Sequence, residues 1–198
     1  MKVAILDYGA GNLHSLAKAL GHAGSEVAIE TDTERALASD ALILPGVGAF
    51  SLAAESLAPH LSTIRTALST GLPCLGICLG MQLLFDSSEE GEGEGIGVFP
   101  GHVRRLEGRR VPQIGWNDLE DPQGELFAAS NLRTAYFANS FVCEPRDPGS
   151  IRAWATHEGD RFVASVEANN VVGVQFHPEK SSDRGIAFID AFLRRVAS

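Results

Sequence analysis

Between residues 3 and 85 the chain alternates short apolar runs with helical patterns, and this alternation constrains the fold more than any other feature. Val3–Leu6 is an apolar run closed by Asp7; Val27–Glu30, Ala41–Leu44 and Pro73–Ile77 repeat its character, and Pro45-Gly46 stops the third. Such uninterrupted apolar runs suit strands buried on both faces. Between them the spacing changes to the 3.6-residue period. Asn12 caps a helix whose apolar face is Leu13, Leu16, Ala17, Leu20 and Ala23, and Gly24 ends it. A helical stretch from about Phe50 is broken at Pro59 and continues through Leu61, Ile64 and Leu68 to Gly71, while Leu79–Phe85 follows directly on the fourth strand. Four strand–helix units in succession predict an α/β domain of the doubly wound, flavodoxin-like kind: a mostly parallel central sheet flanked by helices.

After Phe85 the character changes. The acidic, glycine-rich stretch from Ser87 to Gly95 reads as a solvated, flexible loop. Short alternating runs follow at His102–Leu106, Thr134–Val142, Ile151–Thr156, Phe162–Glu167 and Val171–Phe176. They predict an additional antiparallel β portion in the C-terminal half. A last helix from Asp183 buries Ile186, Ile189, Phe192, Leu193 and Val196. With no internal repeat and no long linker, residues 1–198 read as a single domain.

Composition narrows the partners. The net charge of −9 comes without a basic cluster, so a nucleic-acid partner is disfavoured. The first apolar run breaks at Asp7, too early for a signal sequence, and no later stretch reaches the ~18 uncharged apolar residues of a membrane span. Cys74, Cys78 and Cys143 form no disulfide framework, which suits a reducing compartment and a cytoplasmic location.

Three segments carry chemistry. Gly76-Ile77-Cys78-Leu79-Gly80 lies where a buried strand becomes a helix, and G-x-C-x-G is the sulfur version of the elbow that lifts a nucleophile clear of a sheet. Cys78 then stands at a helix N-terminus, where the dipole favours an anion. Taken alone it is equally readable as a small buried apolar residue, and Cys74 and Cys143 read only that way. Phe176-His177-Pro178-Glu179 ends a strand, and Pro178 fixes the turn that lets Glu179 hold the imidazole from its far side. A surface His beside a surface Glu is the plain alternative, and the elbow makes it the weaker one. Pro45-Gly46-Val47-Gly48 frees backbone N–H groups after a strand, which an oxyanion hole needs together with the N–H of Leu79. Neither this loop nor Tyr8-Gly9-Ala10-Gly11-Asn12 fits a phosphate-binding pattern. The remaining histidines have no metal-ligand spacing.

Assembled, Gly76-Ile-Cys78-Leu-Gly80-Met-Gln82, Pro45-Gly-Val-Gly48 and His177-Pro-Glu179 closely resemble the triad (class I) glutamine amidotransferases. Asp7-Tyr8-Gly-Ala-Gly-Asn12, Gly115-Trp116-Asn117 and Pro178-Glu-Lys180-Ser-Ser182 narrow the resemblance to the glutaminase subunits of imidazole glycerol phosphate synthase, over essentially the whole chain. The resemblance implies that Cys78 forms a γ-glutamyl thioester, that His177 moves the proton to leaving ammonia and that Glu179 orients His177. It implies that Gln82 and the Gly48 region bind glutamine, and that the Asn139-Ser140-Phe141 backbone contacts its α-amino and carboxylate groups, although a His is usual where Asn139 stands. It makes Asn12, Trp116 and Lys180 partner-facing. The partner it implies is a (βα)8-barrel cyclase subunit that consumes the ammonia in a heterodimer, with no metal and no organic cofactor. Another ammonia-supplying glutaminase, a γ-glutamyl hydrolase and a non-catalytic binding module are the rival readings.

Overall fold

The computed structural model describes residues 1–9, 11, 13–21 and 24–198. Asn12, as cap and as partner-facing residue, and Ala23 on the first helix lie outside them. The first half runs β1 (Lys2–Leu6), α1 (Leu13–Gly21), β2 (Glu26–Glu30), α2 (Thr33–Leu37), β3 (Ala41–Leu44), α3 (Phe50–Leu57), α4 (Leu61–Ser69), β4 (Cys74–Ile77) and α5 (Leu79–Leu83). The second runs β5 (Ser87–Ser88), β6 (Gly101–Arg105), β7 (Gln113–Asp118), α6 (Glu125–Ser130), β8 (Thr134–Asn139), β9 (Phe141–Pro145), β10 (Ile151–His157), β11 (Asp160–Ala168), β12 (Val171–Val174) and α7 (Ser182–Val196).

Among the described residues a ten-stranded sheet runs in the order β2-β1-β3-β4-β12-β11-β9-β6-β5, with β10 on β11. Its first five strands are parallel, in the doubly wound order. Side chains alternate across them: Val3 and Ile5 join one core with Leu16 and Leu20 of α1 and Phe188 and Phe192 of α7, whereas Ala4 and Leu6 join another with Phe50, Leu57, Ile64 and Leu68 of α3 and α4. In the first core the rings of Phe127, Phe137, Phe162, Phe176 and Phe188 lie 5.0–6.4 Å apart in tilted and edge-on pairs, so the strand end leading to His177 is clamped by aromatic packing.

Three expectations need correction. Val171–Phe176 is not simply another antiparallel strand: β12 pairs parallel with β4 on one side and antiparallel with β11 on the other, and so joins the two halves of the sheet. Thr134–Val142 is not one strand. The chain leaves a separate two-stranded ribbon, β7–β8, and enters the main sheet as β9, with Ser140 at the change. No Gly or Pro marks that change, so the run looks continuous in sequence. The acidic loop is tied down rather than free. The Phe50 N–H donates to Glu90 Oε2 at 2.8 Å, and Arg65 donates to Glu94 Oε1 at 2.7 Å and to the carbonyls of Gly95 and Ile96. A Cβ at Gly91 would come within 2.9 Å of Ser51, and one at Gly93 within 2.7 Å of Ala54, so these glycines serve close packing on α3. The short helix α2, begun by Asp32 accepting from the Glu34 and Arg35 N–H groups, lacks an apolar stripe long enough to read.

Candidate active site

Cys78 sits between the end of β4 and the start of α5 at φ 52° and ψ −106°, a conformation that costs a non-glycine residue on the order of 1–3 kcal/mol. Three glycines allow it. A Cβ at Gly76 would come within 2.7 Å of the Gly80 carbonyl oxygen, one at Gly80 would overlap the Leu44 carbonyl, and one at Gly46 would overlap the Ile77 carbonyl and the Leu79 N–H. The end of β3, the loop after it and the elbow can therefore converge only where side chains are missing.

The parallel register then brings the distant imidazole in. Val174 is level with Ile77, and the Cys78 N–H donates to the Val174 carbonyl at 2.7 Å. Two residues beyond Gln175 stands His177, buried, its Nδ1 2.9 Å from Glu179 Oε1. That bond places the Nδ1 proton toward the carboxylate and turns Nε2 to the other side, where it is buried without an aligned partner. Burial alone pushes the ring down, but hydrogen bonding with Cys78 and then Glu179, with their charges, holds the imidazole up at about 9. No hydrogen bond is aligned on Nε2 among the described residues, so Cys78 acts on the ring through proximity and charge. The turn is rigid. The His177 N–H donates to the Tyr136 carbonyl at 2.8 Å, and Ser181 Oγ bridges the His177 carbonyl and the Tyr136 N–H at 2.6 and 2.9 Å.

In front of the sulfur opens a cleft of about 160 Å³, lined among others by Val47, Gly48, Cys78, Leu79, Gln82 and Asn139-Ser140-Phe141. The structure thus brings together the residues expected to grip a substrate. It adds Glu90, which lines the same cleft and was hidden in an acidic run. It also adds Gln175, fully buried, whose Nε2 lies 3.5 Å from Cys78 Sγ, and Tyr8, whose hydroxyl donates to the Pro45 carbonyl and anchors the glycine loop. Cys74 and Cys143 are buried in the core, where desolvation pushes both thiols far up. Asn139 is buried, lines the cleft and donates its side-chain amide to the Phe141 carbonyl at 3.1 Å. Trp116 and Lys180 lie outside the cleft. Trp116 is 56% exposed and packs edge-on against Tyr136, and the Lys180 ammonium sits 5.9 Å from the same ring.

A thiol on a strained elbow, an imidazole clamped by a carboxylate and a cleft with a glycine loop at one side can carry out acyl transfer from a small carbonyl substrate. The family model described as glutamine amidotransferase class-I matches residues 4–196. The chain is 45% identical over 198 residues to "Imidazole glycerol phosphate synthase subunit HisH" of Thermus thermophilus, covering 98% of each chain. It is 40% identical over 203 residues to the protein of the same description from Synechocystis sp., covering 98% of this chain and 97% of that one. A solved structure of a glutamine amidotransferase superposes with a TM-score of 0.78 over 99% of both chains at 22% identity, a likeness of fold.

Proposed function

The chain belongs to the class-I glutamine amidotransferase family, and from that premise we infer that it works as the glutaminase subunit of imidazole glycerol phosphate synthase in histidine biosynthesis, with Cys78, His177 and Glu179 as its catalytic triad. The observation that carries the assignment of residues is the register of β4 on β12, which sets Cys78 beside the strand end that leads to the carboxylate-clamped His177.

Cys78 sulfur attacks the side-chain carbonyl carbon of glutamine. The oxygen becomes an oxyanion, received by the Leu79 N–H and a donor from the Val47–Gly48 segment. The His177 imidazolium gives its Nε2 proton to the leaving nitrogen, the C–N bond breaks, and ammonia departs from a γ-glutamyl thioester. Neutral His177 then takes a proton from water, whose oxygen attacks the thioester. Glutamate leaves and the sulfur is restored. Glutamine lies in the cleft with its carboxamide toward Cys78 and its α-ammonium toward Glu90, while Gln82 and the Ser140-Phe141 backbone form the walls. The test is labelling with an electrophilic glutamine analogue: it should modify Cys78 alone and abolish turnover, and an unmodified Cys78 in a fully inhibited protein would sink the assignment.

Two results follow from single contacts. Glu90→Gln keeps an acceptor for the Phe50 N–H but removes the charge, so KM for glutamine should rise about 10- to 100-fold with a smaller change in kcat. Steady-state kinetics with glutamine measure it. His177 is held protonated up to about 9, so kcat/KM should fall as pH rises through that value and the proton donor for ammonia is lost. Glu179→Gln removes a group that raises the ring, so the falling limb should move to lower pH. A limb that stays in place would show that Glu179 does not hold the proton on His177.

The partner is a (βα)8-barrel synthase subunit that uses the ammonia in a heterodimer. It docks on the face formed by Ile114, Trp116, Tyr136 and Lys180; Ile114 is 68% exposed on the same strand as Trp116, and the Tyr136 carbonyl accepts from the His177 N–H. Residues 1–198 act as one glutaminase domain. Among the described residues no helix is long and apolar enough to cross a membrane, and we place the reaction in the cytoplasm.

A further inference from the structure

We propose that Gln175 is a dedicated hydrogen-bond donor to the Cys78 sulfur, held in that orientation by Gln82 and ultimately by the Phe141 carbonyl. The proposal rests on the reading of Cys78 as the nucleophile.

Gln175 directly follows β12, and its side chain is fully buried. A leucine or methionine would fill the same space without desolvating an amide, so a carboxamide here needs partners. It has them on both ends. Its Nε2 lies 3.5 Å from Cys78 Sγ, and its Oε1 accepts from Gln82 Nε2 at 3.2 Å. Gln82 Nε2 also donates to the Phe141 carbonyl at 3.1 Å.

The two ends of a carboxamide are nearly alike in shape, so their direction has to be derived from what they face. A backbone carbonyl can only accept. The Phe141 oxygen therefore demands the NH₂ end of Gln82, since a flipped Gln82 would set oxygen against oxygen. With its NH₂ end committed, Gln82 presents a donor to Gln175, and Gln175 must answer with its oxygen. The NH₂ end of Gln175 is then left facing the sulfur. One fixed carbonyl thus sets the polarity of a three-link chain that ends on Cys78.

The sulfur sits between opposite partners. The Ala138 carbonyl, 3.8 Å away, can receive the proton of the thiol but offers nothing to a thiolate. Gln175 offers a donor, and a hydrogen bond to a charged acceptor is worth more than one to a neutral acceptor. The pair therefore favours the ionised, attacking form. Because Gln82 also lines the cleft, the chain runs from the substrate wall to the reacting atom.

The test is alkylation of Cys78 by iodoacetamide, followed by mass spectrometry, in the full-length chain. Cys74 and Cys143 are buried and give little background. In Gln175→Leu the rate at pH 7 should fall about tenfold or more, the effect of losing one hydrogen bond to a charged group. At pH 10 the difference between variant and wild type should shrink, because ionisation of a thiol needs less help as pH rises. The other ionisable groups around the sulfur, His177, Tyr8, Cys143 and Glu90, are the same in both proteins. kcat for glutamine should fall in proportion, with KM within about twofold. Gln175→Glu, of the same shape, turns an acceptor toward the sulfur and should lose more; it carries the test if the leucine variant does not fold. Equal rates at pH 7 in wild type and variant overturn the proposal. So does an equal loss at both pH values, which would mean that the thiol has moved rather than lost its donor. Glutamine turnover surviving in Cys78→Ala would instead overturn the assignment of the nucleophile.

Discussion

Cys78→Ala, assembled with the synthase subunit, is expected to lower glutamine-dependent synthesis by at least about 10⁴-fold while ammonia-dependent synthesis stays within about twofold. The expectation follows from where the residue sits. Cys78 is 6% exposed at the end of β4, at the edge of one core layer, and it lines the cleft. Alanine accepts the same backbone conformation at the same cost, so the elbow, the glycine contacts and the docking face are retained. What disappears is the atom that would hold the glutamyl group. Removing the nucleophile of a hydrolase that acts through a linked triad costs about as much as removing the whole triad, because the other members have nothing left to assist. Rates measured with glutamine and with an ammonium salt in parallel separate the two halves of the reaction. Loss of both would show that this chain does more for the partner than supply ammonia, and persistence of the first would remove Cys78 from the mechanism.

The isolated chain should turn over glutamine about 10²–10³-fold more slowly than the assembled, ligand-bound synthase, the size of effect that one oxyanion donor has elsewhere. Val47 stands between Gly46 and Gly48, with Gly48 at φ 142°, so rotation of the intervening peptide meets little resistance. The segment before it is fixed by Tyr8 on the Pro45 carbonyl, and the elbow beside it is fixed by packing on Gly46. Behind the loop lies a cavity of about 50 Å³ lined by Tyr8, Gly48, Leu52 and Leu79. A movable peptide between fixed supports is an element whose population a docked partner can shift. Glutaminase rates with and without the partner and its ligand measure the shift, and equal rates would show that the donor is already in place at rest.

Much of this was legible in the residues. The buried parallel strands declare themselves because each is a short apolar run cut by a turn; Ala41–Leu44 matches its strand at both ends. G-x-C-x-G and His-Pro-Glu are legible because a sharp turn demands small or cyclic residues at fixed positions. The rest depends on contacts between distant segments. Gln113–Asp118 carries Gly115 and Asn117 and pairs only with β8, so it lacks the apolar signature of a strand in the main sheet. Glu90 is one carboxylate among several until the Phe50 N–H and the cleft single it out. Gln175 has no spacing signal, since a buried amide acquires meaning only from the groups folded against it.

β4 and β12 run side by side in the same direction, and Cys78 and the segment leading to His177 leave their adjacent ends. The long excursion between them, residues 79 to 170, brings the chain back alongside its starting point and supplies the rest of the sheet and much of both cores. That excursion also houses Gln82, Glu90 and Ser140-Phe141, which line the cleft, and the exposed Trp116. The mutual reach of Cys78 and His177 is thus set by the pairing of two strand ends and not by the length of chain that joins them.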